Sequence, residues 1–310
     1  MALFSKTFRA MGCQIEVWLE TDSDGDAPLA AVPDTVEQLE AVLSRFRPRS
    51  ELSRLNTQLG EWVTVSDVLL ANIAAAKQGA RLTNGLYTPL LLDALEAAGY
   101  DRSFDQLSPS PAAPQRSLAV ADWQAIQIDM QSKKVRLPGR IDLGGVAKGW
   151  TADYLADNLS EYGPCLVDMG GDIAVRGVPQ GTAGWEVGVA DANRSPHDVS
   201  ALLLTDSSIV TSGTDFRRWE QGGQFQHHII DPRSGRPALT DVVTATIIHP
   251  HAPTAEVYAK AVLLLGSEAG LSWLNRQWNA AGLVIRHDGA VMATSSFERY
   301  RIDFDRQDVK

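Results

Sequence analysis

The sequence predicts an α+β protein, a single domain of mixed, largely antiparallel sheet with packed helices. Three observations carry that reading. Strand patterns recur along the chain, some half-buried and alternating, as in "CQIEVWLE" (13–20), others β-branched, as in "VTATIIH" (243–249). Helical patterns fall between them at irregular intervals, without the regular βαβ alternation of a doubly wound sheet. Tight-turn signals, "QGGQ" (221–224) and "DPRSGRP" (231–237), join neighbouring strands.

The elements follow in order. After the strand at 13–20, the polar, proline-marked stretch "SDGDAPLAAVPD" (23–34) reads as a loop. "TVEQLEAVLSR" (35–45) places Val36, Leu39, Val42 and Leu43 at helical spacing, with Thr35 as N-cap and Gln38 completing a capping box. "VSDVLLANIAAAKQGARLTNG" (65–85) is a second helix, capped by Ser66 and stopped by "TNG". "DALEAAGYD" (93–101) is a third, closed by Gly99. "SFDQLSPSPAAPQRS" (103–117) is the best linker in the chain and the place where two lobes would divide. Strands follow at 125–130 and 134–138, then a helix from about Val146 to Tyr162 and a strand over 165–177. Further strands are read at "WEVGVA", "SALLLT" and "HHIID". "VTATIIH" leads into the helix "TAEVYAKAVLLLG" (254–266).

Composition bounds the function. A hydrophobic fraction of 44% and a charged fraction of 21% suit a globular chain with a sizeable core. The net charge of −10 argues against general binding of nucleic acid or acidic membrane. Cys13 and Cys165 are too few for a disulfide framework and too far apart for a metal knuckle, which points to a reducing, cytoplasmic setting. The first twenty residues show no signal-peptide pattern, and no run is long enough for a membrane span.

Three runs carry chemistry. In "RIDLGGVAKGWTADYLADNLSEYG" (140–163) a strand end with Asp142 meets Gly144–Gly145 and then a helix with Lys148 in its first turn. Free N–H groups at a helix start, together with a lysine, suit a phosphate. The other reading is a tight turn followed by a solvated lysine, and neither a Walker loop nor a dinucleotide fingerprint is present. In "VDMGGDIAVRG" (167–177) a glycine pair interrupts an apolar strand between Asp168 and Asp172, which marks either a β-bulge or a close ligand approach. In "IVTSGTDFRRWEQGGQFQHHIIDPRSGRP" (209–237), His227 and His228 alternate on a strand, so at most one faces inward. They read as one packed and one exposed histidine rather than as metal ligands, and Ser212 lacks a nucleophile elbow.

The order of these runs resembles the ApbE family of FAD:protein FMN transferases. "MGCQIEV", "SELSRLN", "GLYTP", "AAGYD", "DLGGVAKGWTAD", "VDMGGDIAVRG", "VTSGTDFRRW", "HHIIDPRSGRP" and "AEVYAKAVLLLG" occur in the order expected, over nearly the whole chain. The resemblance implies an enzyme that binds FAD, uses Mg²⁺ in cleaving its pyrophosphate, and joins the FMN half to a threonine of a partner flavoprotein, releasing AMP. The positions similar to the family's flavin-contacting ones are Met11 in the first strand, Phe46, Ala98, Gly99, Tyr100, Asp142, Lys148 and Ile230. The Gly145 carbonyl and Glu256 match metal-contacting positions. Asp142, as proton acceptor or as a ribose or adenine contact, and Lys148, as a phosphate-neutralising cation, are the catalytic expectations together with Lys260.

The chain departs from the family at the metal segment. Where the family pattern has an aspartate and, four residues on, a threonine, this chain has Glu256 and Lys260. Read without the resemblance, that pair is an i,i+4 ion pair worth a few tenths of a kcal/mol, about 0.3–0.5. With it, two arrangements are open. The Lys260 ammonium replaces part of the metal's charge, or Mg²⁺ stays on Glu256, the Gly145 carbonyl, phosphate oxygens and water while Lys260 turns outward. A flavin-binding protein without transfer, and an FAD pyrophosphatase with water as acceptor, are the alternative functions.

Overall fold

Eight antiparallel strands form the main sheet and lie side by side in chain order. They are β1 (Ala2–Ala10), β2 (Cys13–Thr21), β3 (Cys165–Met169), β4 (Asp172–Arg176), β5 (Ser207–Gly213), β6 (Val242–His249), β7 (Ala281–Arg286) and β8 (Val291–Ala293). The computed structural model describes residues 1–108, 110, 118–192 and 198–302. Seven α-helices are found among them: α1 (Asp26–Leu43), α2 (Glu51–Leu55), α3 (Asp67–Leu82), α4 (Leu92–Ala97), α5 (Ala147–Leu159), α6 (Ala252–Leu265) and α7 (Ser267–Leu274). The α+β expectation holds.

Both faces of the sheet are covered. On one face, Ile15, Val17 and Leu19 of β2 pack with Leu29 and Val36 of α1 and Leu155 and Leu159 of α5. Farther along that face, Val210, Ala245 and Ile247 join residues of α3, α6 and α7. On the other face, Ile209, Ile248, Leu283 and Ile285 pack against Phe297 and a small sheet of Trp185–Val189, Ser200–Leu204 and Arg301–Ile302. Coverage on two sides explains the continuous apolar runs of β5 and β6, since each fully buried aliphatic side chain contributes about 1.5–3 kcal/mol.

Five local expectations are corrected. The stretch 23–34 is not a loop: α1 starts at Asp26 and runs through Pro33. Leu29, Val32, Val36, Leu39 and Leu43 are all buried and share one stripe, and that burial outweighs the missing proline donor. Thr35 is therefore inside the helix, its hydroxyl donating to the Ala31 carbonyl at 3.0 Å, and is not a cap. Residues 165–177 are a hairpin, not one strand, because Gly170 and Gly171 both take positive φ (69° and 93°) in a two-residue turn between β3 and β4. Met11 stands in the equivalent turn between β1 and β2, with φ 49° beside Gly12 at 70°, rather than in a strand. Asp142 lies in an extended loop rather than at a strand end; the Asn56 side chain holds it there, giving and receiving a 2.9 Å bond with the Ile141 backbone.

Other local readings agree with the structure. Ser66 caps α3, accepting the Leu69 N–H at 3.3 Å, and "QGGQ" turns Arg218–Gln221 back onto Gln224–His227. The linker reading at 103–117 falls mostly on residues 109 and 111–117, which lie outside the described residues. Residues 22–164 form one excursion between the adjacent strands β2 and β3. That excursion and the ends of β5 and α6 place the side chains considered next.

Candidate functional site

Two adjoining cavities of about 210 and about 90 Å³ form one cleft. Arg45, Phe46, Tyr100, Asp142, Gly144 and Arg217 line both. Met11 and Lys148 belong to the larger, outer cavity. Tyr87, Gly145, His228, Ile230 and Lys260 belong to the inner one. Segments far apart in sequence, at 11, 46, 100, 142–148, 230 and 260, therefore meet at one place.

The wall between the cavities is a cation lying over two adjacent rings, Phe46 and Tyr100, whose centres are 5.6 Å apart. Arg45 follows the C-cap Ser44 of α1, and its guanidinium carbon is 4.1 Å from the Phe46 ring centre and 4.6 Å from that of Tyr100. Its Nε lies 2.6 Å from Asp142 Oδ2 as an ion pair, and its side chain is 5% exposed. Nε and Nη2 have no aligned hydrogen-bond acceptor, so this buried fork keeps donor capacity toward the cleft. The second Asp142 oxygen accepts the Gly144 N–H at 2.8 Å. Both carboxylate oxygens of Asp142 thus brace the wall.

Tyr100 is fixed from behind by Trp219, with ring centres 5.3 Å apart, and the Trp219 indole N–H donates to the Ala98 carbonyl at 2.8 Å. Burial raises the Tyr100 pKa, although Arg217 hydrogen-bonds it and opposes the rise. Ala98 and Gly99 are not on the cleft surface. Gly99 takes φ +95°, and a Cβ there would lie 2.6 Å from Gln221 Oε1, so these two residues seat Tyr100.

The start of α5 differs from an open phosphate cradle. The Lys148 ammonium contacts the buried Asp172 carboxylate. Burial alone would lower the Lys148 pKa, but the charges of Asp172 and Glu256 outweigh it, and the pKa is raised. The Gly149 N–H, in the first turn, donates to Glu256 Oε2 at 3.2 Å. A carboxylate of the chain itself therefore occupies the anion position at this helix start. Asp168 accepts the Gly171 N–H at 2.6 Å and closes the hairpin.

Glu256 is 2% exposed and Lys260 points at it from the next helical turn. Burial raises the Glu256 pKa, and Lys260 pulls it back. Lys260 Nζ lies 3.2 Å from Glu256 Oε1, 3.4 Å from the Glu256 carbonyl and 3.5 Å from the Gly145 carbonyl. Lys260 is turned inward, and its ammonium stands between the two groups that would hold a metal. Mg²⁺ needs several oxygens at about 2.0–2.1 Å. Among the described residues no group of three or more His, Cys, Asp or Glu can hold a metal. With Lys260 in place, the side chains present do not fit a divalent cation.

Arg45, Arg217 and Tyr87 escape sequence reasoning. A single arginine at a helix end or a buried tyrosine carries no periodic signal, and only the charge of the run "FRRW" hints at Arg217. His228 lines the inner cavity, and burial holds its pKa well below the usual histidine value, so it is neutral. His227 sits at the end of its strand with Nε2 3.1 Å from the Ala238 carbonyl.

A mixed, largely antiparallel sheet with packed helices is the fold that solved flavin transferases share. The model of the ApbE family matches residues 11–284, and this chain belongs to that family. The FAD:protein FMN transferase of Treponema pallidum is 30% identical, over 94% of this chain and 86% of its own length. That of Vibrio cholerae is 26% identical, over 86% and 82%. Among solved structures, the ApbE protein of Thermotoga maritima superposes with a TM-score of 0.88 at 24% identity, over 97% of this chain and all of its own. The apo flavinyl transferase ApbE of Pseudomonas stutzeri gives 0.80 at 21% identity, over 96% of each chain.

Proposed function

We propose that this chain is an FAD:protein FMN transferase that moves the FMN half of FAD to a threonine hydroxyl of a partner flavoprotein and releases AMP. The observation that carries the reading is the cleft itself. A guanidinium packed over the adjacent Phe46 and Tyr100 rings gives the cleft a cationic, aromatic surface for a heteroaromatic ring, and Arg217 and Lys260 line the adjoining inner cavity, where a diphosphate needs positive charge. Relatives named FAD:protein FMN transferase along most of the chain support the same activity.

The reaction balances simply. A bond forms between the threonine Oγ and the phosphorus of the FMN half, and the bond from that phosphorus to the bridging oxygen breaks. AMP leaves with the bridging oxygen, and the hydroxyl proton passes to solvent or a base. Phosphoryl transfer of this kind depends on positioning and charge neutralisation more than on covalent help. In this reading Met11, Phe46, Tyr100 and Ile230 contact the flavin nucleotide, with Ala98 and Gly99 acting through Tyr100. Asp142 positions Arg45, and Lys148 supports the outer wall. Mg²⁺, where a family member binds it, supplies charge neutralisation on the diphosphate.

We also read the chain as one domain, because Leu43, Leu69 and Ile141 share a core cluster with Val210, Ile247 and Leu274 across the linker stretch. Two free cysteines, Cys13 and Cys165, support a reducing, cytoplasmic setting, and no helix among the described residues is long and apolar enough to cross a membrane. The test is incubation with FAD and a threonine-bearing flavoprotein domain, followed by mass spectrometry. An FMN adduct with equimolar AMP is expected. FAD bound but intact would leave a flavin-binding protein, and FMN plus AMP without adduct would leave a pyrophosphatase; either result overturns the assignment.

A further inference from the structure

We propose that Lys260, with Arg217, is the resident counter-charge of the transferred diphosphate, so that this transferase works without a divalent metal. The inference rests on the transferase reading above and deepens it. The inner cavity is lined by Arg45, Arg217 and Lys260 against one carboxylate, Asp142, and its histidine, His228, is neutral. Arg45 is already matched by Asp142 at 2.6 Å. Arg217 faces the space, and beside it stands Lys260, whose ammonium is held by Glu256 at the longer distance of 3.2 Å.

Two features place the ammonium, and a third leaves it available to a ligand. Glu256 cannot swing away, because its other oxygen accepts the Gly149 N–H and the residue is buried against α5. Position 145 admits only glycine, since a Cβ there would come within 2.7 Å of the Tyr87 ring and 3.2 Å of Lys260 Cε, so its backbone packs directly against both side chains. The Lys260 bonds to Glu256 and Gly145 are long, 3.2–3.5 Å, which leaves its protons exchangeable onto incoming phosphate oxygens. An ammonium carries half the charge of a divalent ion, and Arg217 at the same cavity supplies the remainder.

The step itself is unchanged in its atoms. The threonine oxygen attacks the flavin-side phosphorus, AMP departs with the bridging oxygen, and Lys260 and Arg217 bear the charge that develops on the non-bridging oxygens and on the leaving phosphate. No co-reactant beyond FAD and the acceptor is needed.

The experiment uses the full chain in four forms: wild type, Lys260→Met, Lys260→Thr and the double variant Lys260→Met with Glu256→Gln. Mn²⁺ binding is followed by electron paramagnetic resonance, FAD affinity by flavin fluorescence, and transfer by mass spectrometry in EDTA and in Mg²⁺. Wild type is expected to bind no Mn²⁺ and to hold FAD and transfer FMN within about twofold in the two buffers. Lys260→Met is expected to lose about 10²-fold or more in transfer rate in both, the usual effect of removing one charge-stabilising donor. Lys260→Thr, which opens the space between Glu256 and the Gly145 carbonyl, is expected to gain one Mn²⁺ per chain and a metal-dependent rate. The double variant removes both charges, so the comparison stands if Lys260→Met does not fold. One Mn²⁺ on wild type, transfer that stops in EDTA and returns with Mg²⁺, or wild-type rates in the Lys260 variants would overturn the proposal. If wild type transfers to no acceptor in either buffer, the transferase reading fails, and the Mn²⁺ and FAD-affinity measurements still decide the role of Lys260.

Discussion

Protonation of His249 makes this fold sensitive to mild acid. The residue ends β6, and its Nδ1 accepts the N–H of His251, the N-cap of α6, at 3.0 Å. A second proton on the ring would remove that acceptor. Burial, reinforced by the charge of His251, lowers the His249 pKa from 6.5 to about 4. An unfolded chain takes up the proton as pH falls through about 6.5, whereas the folded one waits until about 4. The unfolded state therefore binds more protons in that window, and stability is complete above it and lost as pH falls. At about 1.36 kcal/mol per pH unit the full loss is about 3 kcal/mol, of which about 2 kcal/mol is reached at pH 5. His249→Asn keeps a side-chain oxygen able to accept the same N–H but does not titrate. Urea unfolding of both proteins at pH 7 and pH 5 should show the wild type losing about 2 kcal/mol more than the variant. Parallel losses would refute the argument. Because α6 carries Glu256 and Lys260, transfer activity should fade over the same window.

Three further outcomes follow from the geometry. Arg45→Lys keeps the charge but loses the planar fork over Phe46 and Tyr100, so FAD affinity should drop roughly tenfold by fluorescence titration while the fold persists. Asp172→Asn removes the nearest counter-charge of the half-buried Lys148 and should cost about 1–3 kcal/mol in urea unfolding; no change would mean the pair is solvated. Gly170→Ala forces a side chain onto φ +69° with its Cβ 2.7 Å from that of Cys13, and should lower stability by about 1–2 kcal/mol without altering FAD binding.

How much was legible depended on how local the cause was. Helix α3 was readable because its cap, its apolar stripe and its glycine stop lie within twenty-odd residues of one another. The "QGGQ" hairpin was readable because two glycines sit between two strand patterns. Helix α1 was misread at its start because two prolines outweigh propensity arguments, while the stripe Leu29, Val32, Val36 was already present upstream of Thr35. The glycine pair at 170–171 was read as an interruption because a bulge and a two-residue turn share one composition. Within the site, Met11, Phe46, Tyr100, Asp142, Lys148, Ile230 and Lys260 all line the cleft; the residues themselves point to Asp142 and Lys148, while Met11, Phe46, Tyr100 and Ile230 come from the family resemblance alone. Ala98 and Gly99 act one layer behind. Arg45 was invisible because its meaning lies in Asp142, far down the chain, and no local pattern announces a partner at that distance.

The order of the strands in the main sheet has a kinetic consequence. Of the neighbouring pairs, β1–β2, β3–β4 and β7–β8 are joined by tight turns or short loops, while β2 finds β3 only after residues 22–164 have been gathered in. Closing a flexible loop of that length costs about 4 kcal/mol of chain entropy, and contacts this remote in sequence form late. Arg45, Asp142 and Lys148 all lie inside that excursion. The cleft should therefore be the last part of the protein to assemble, and FAD should recognise only chains that have finished folding.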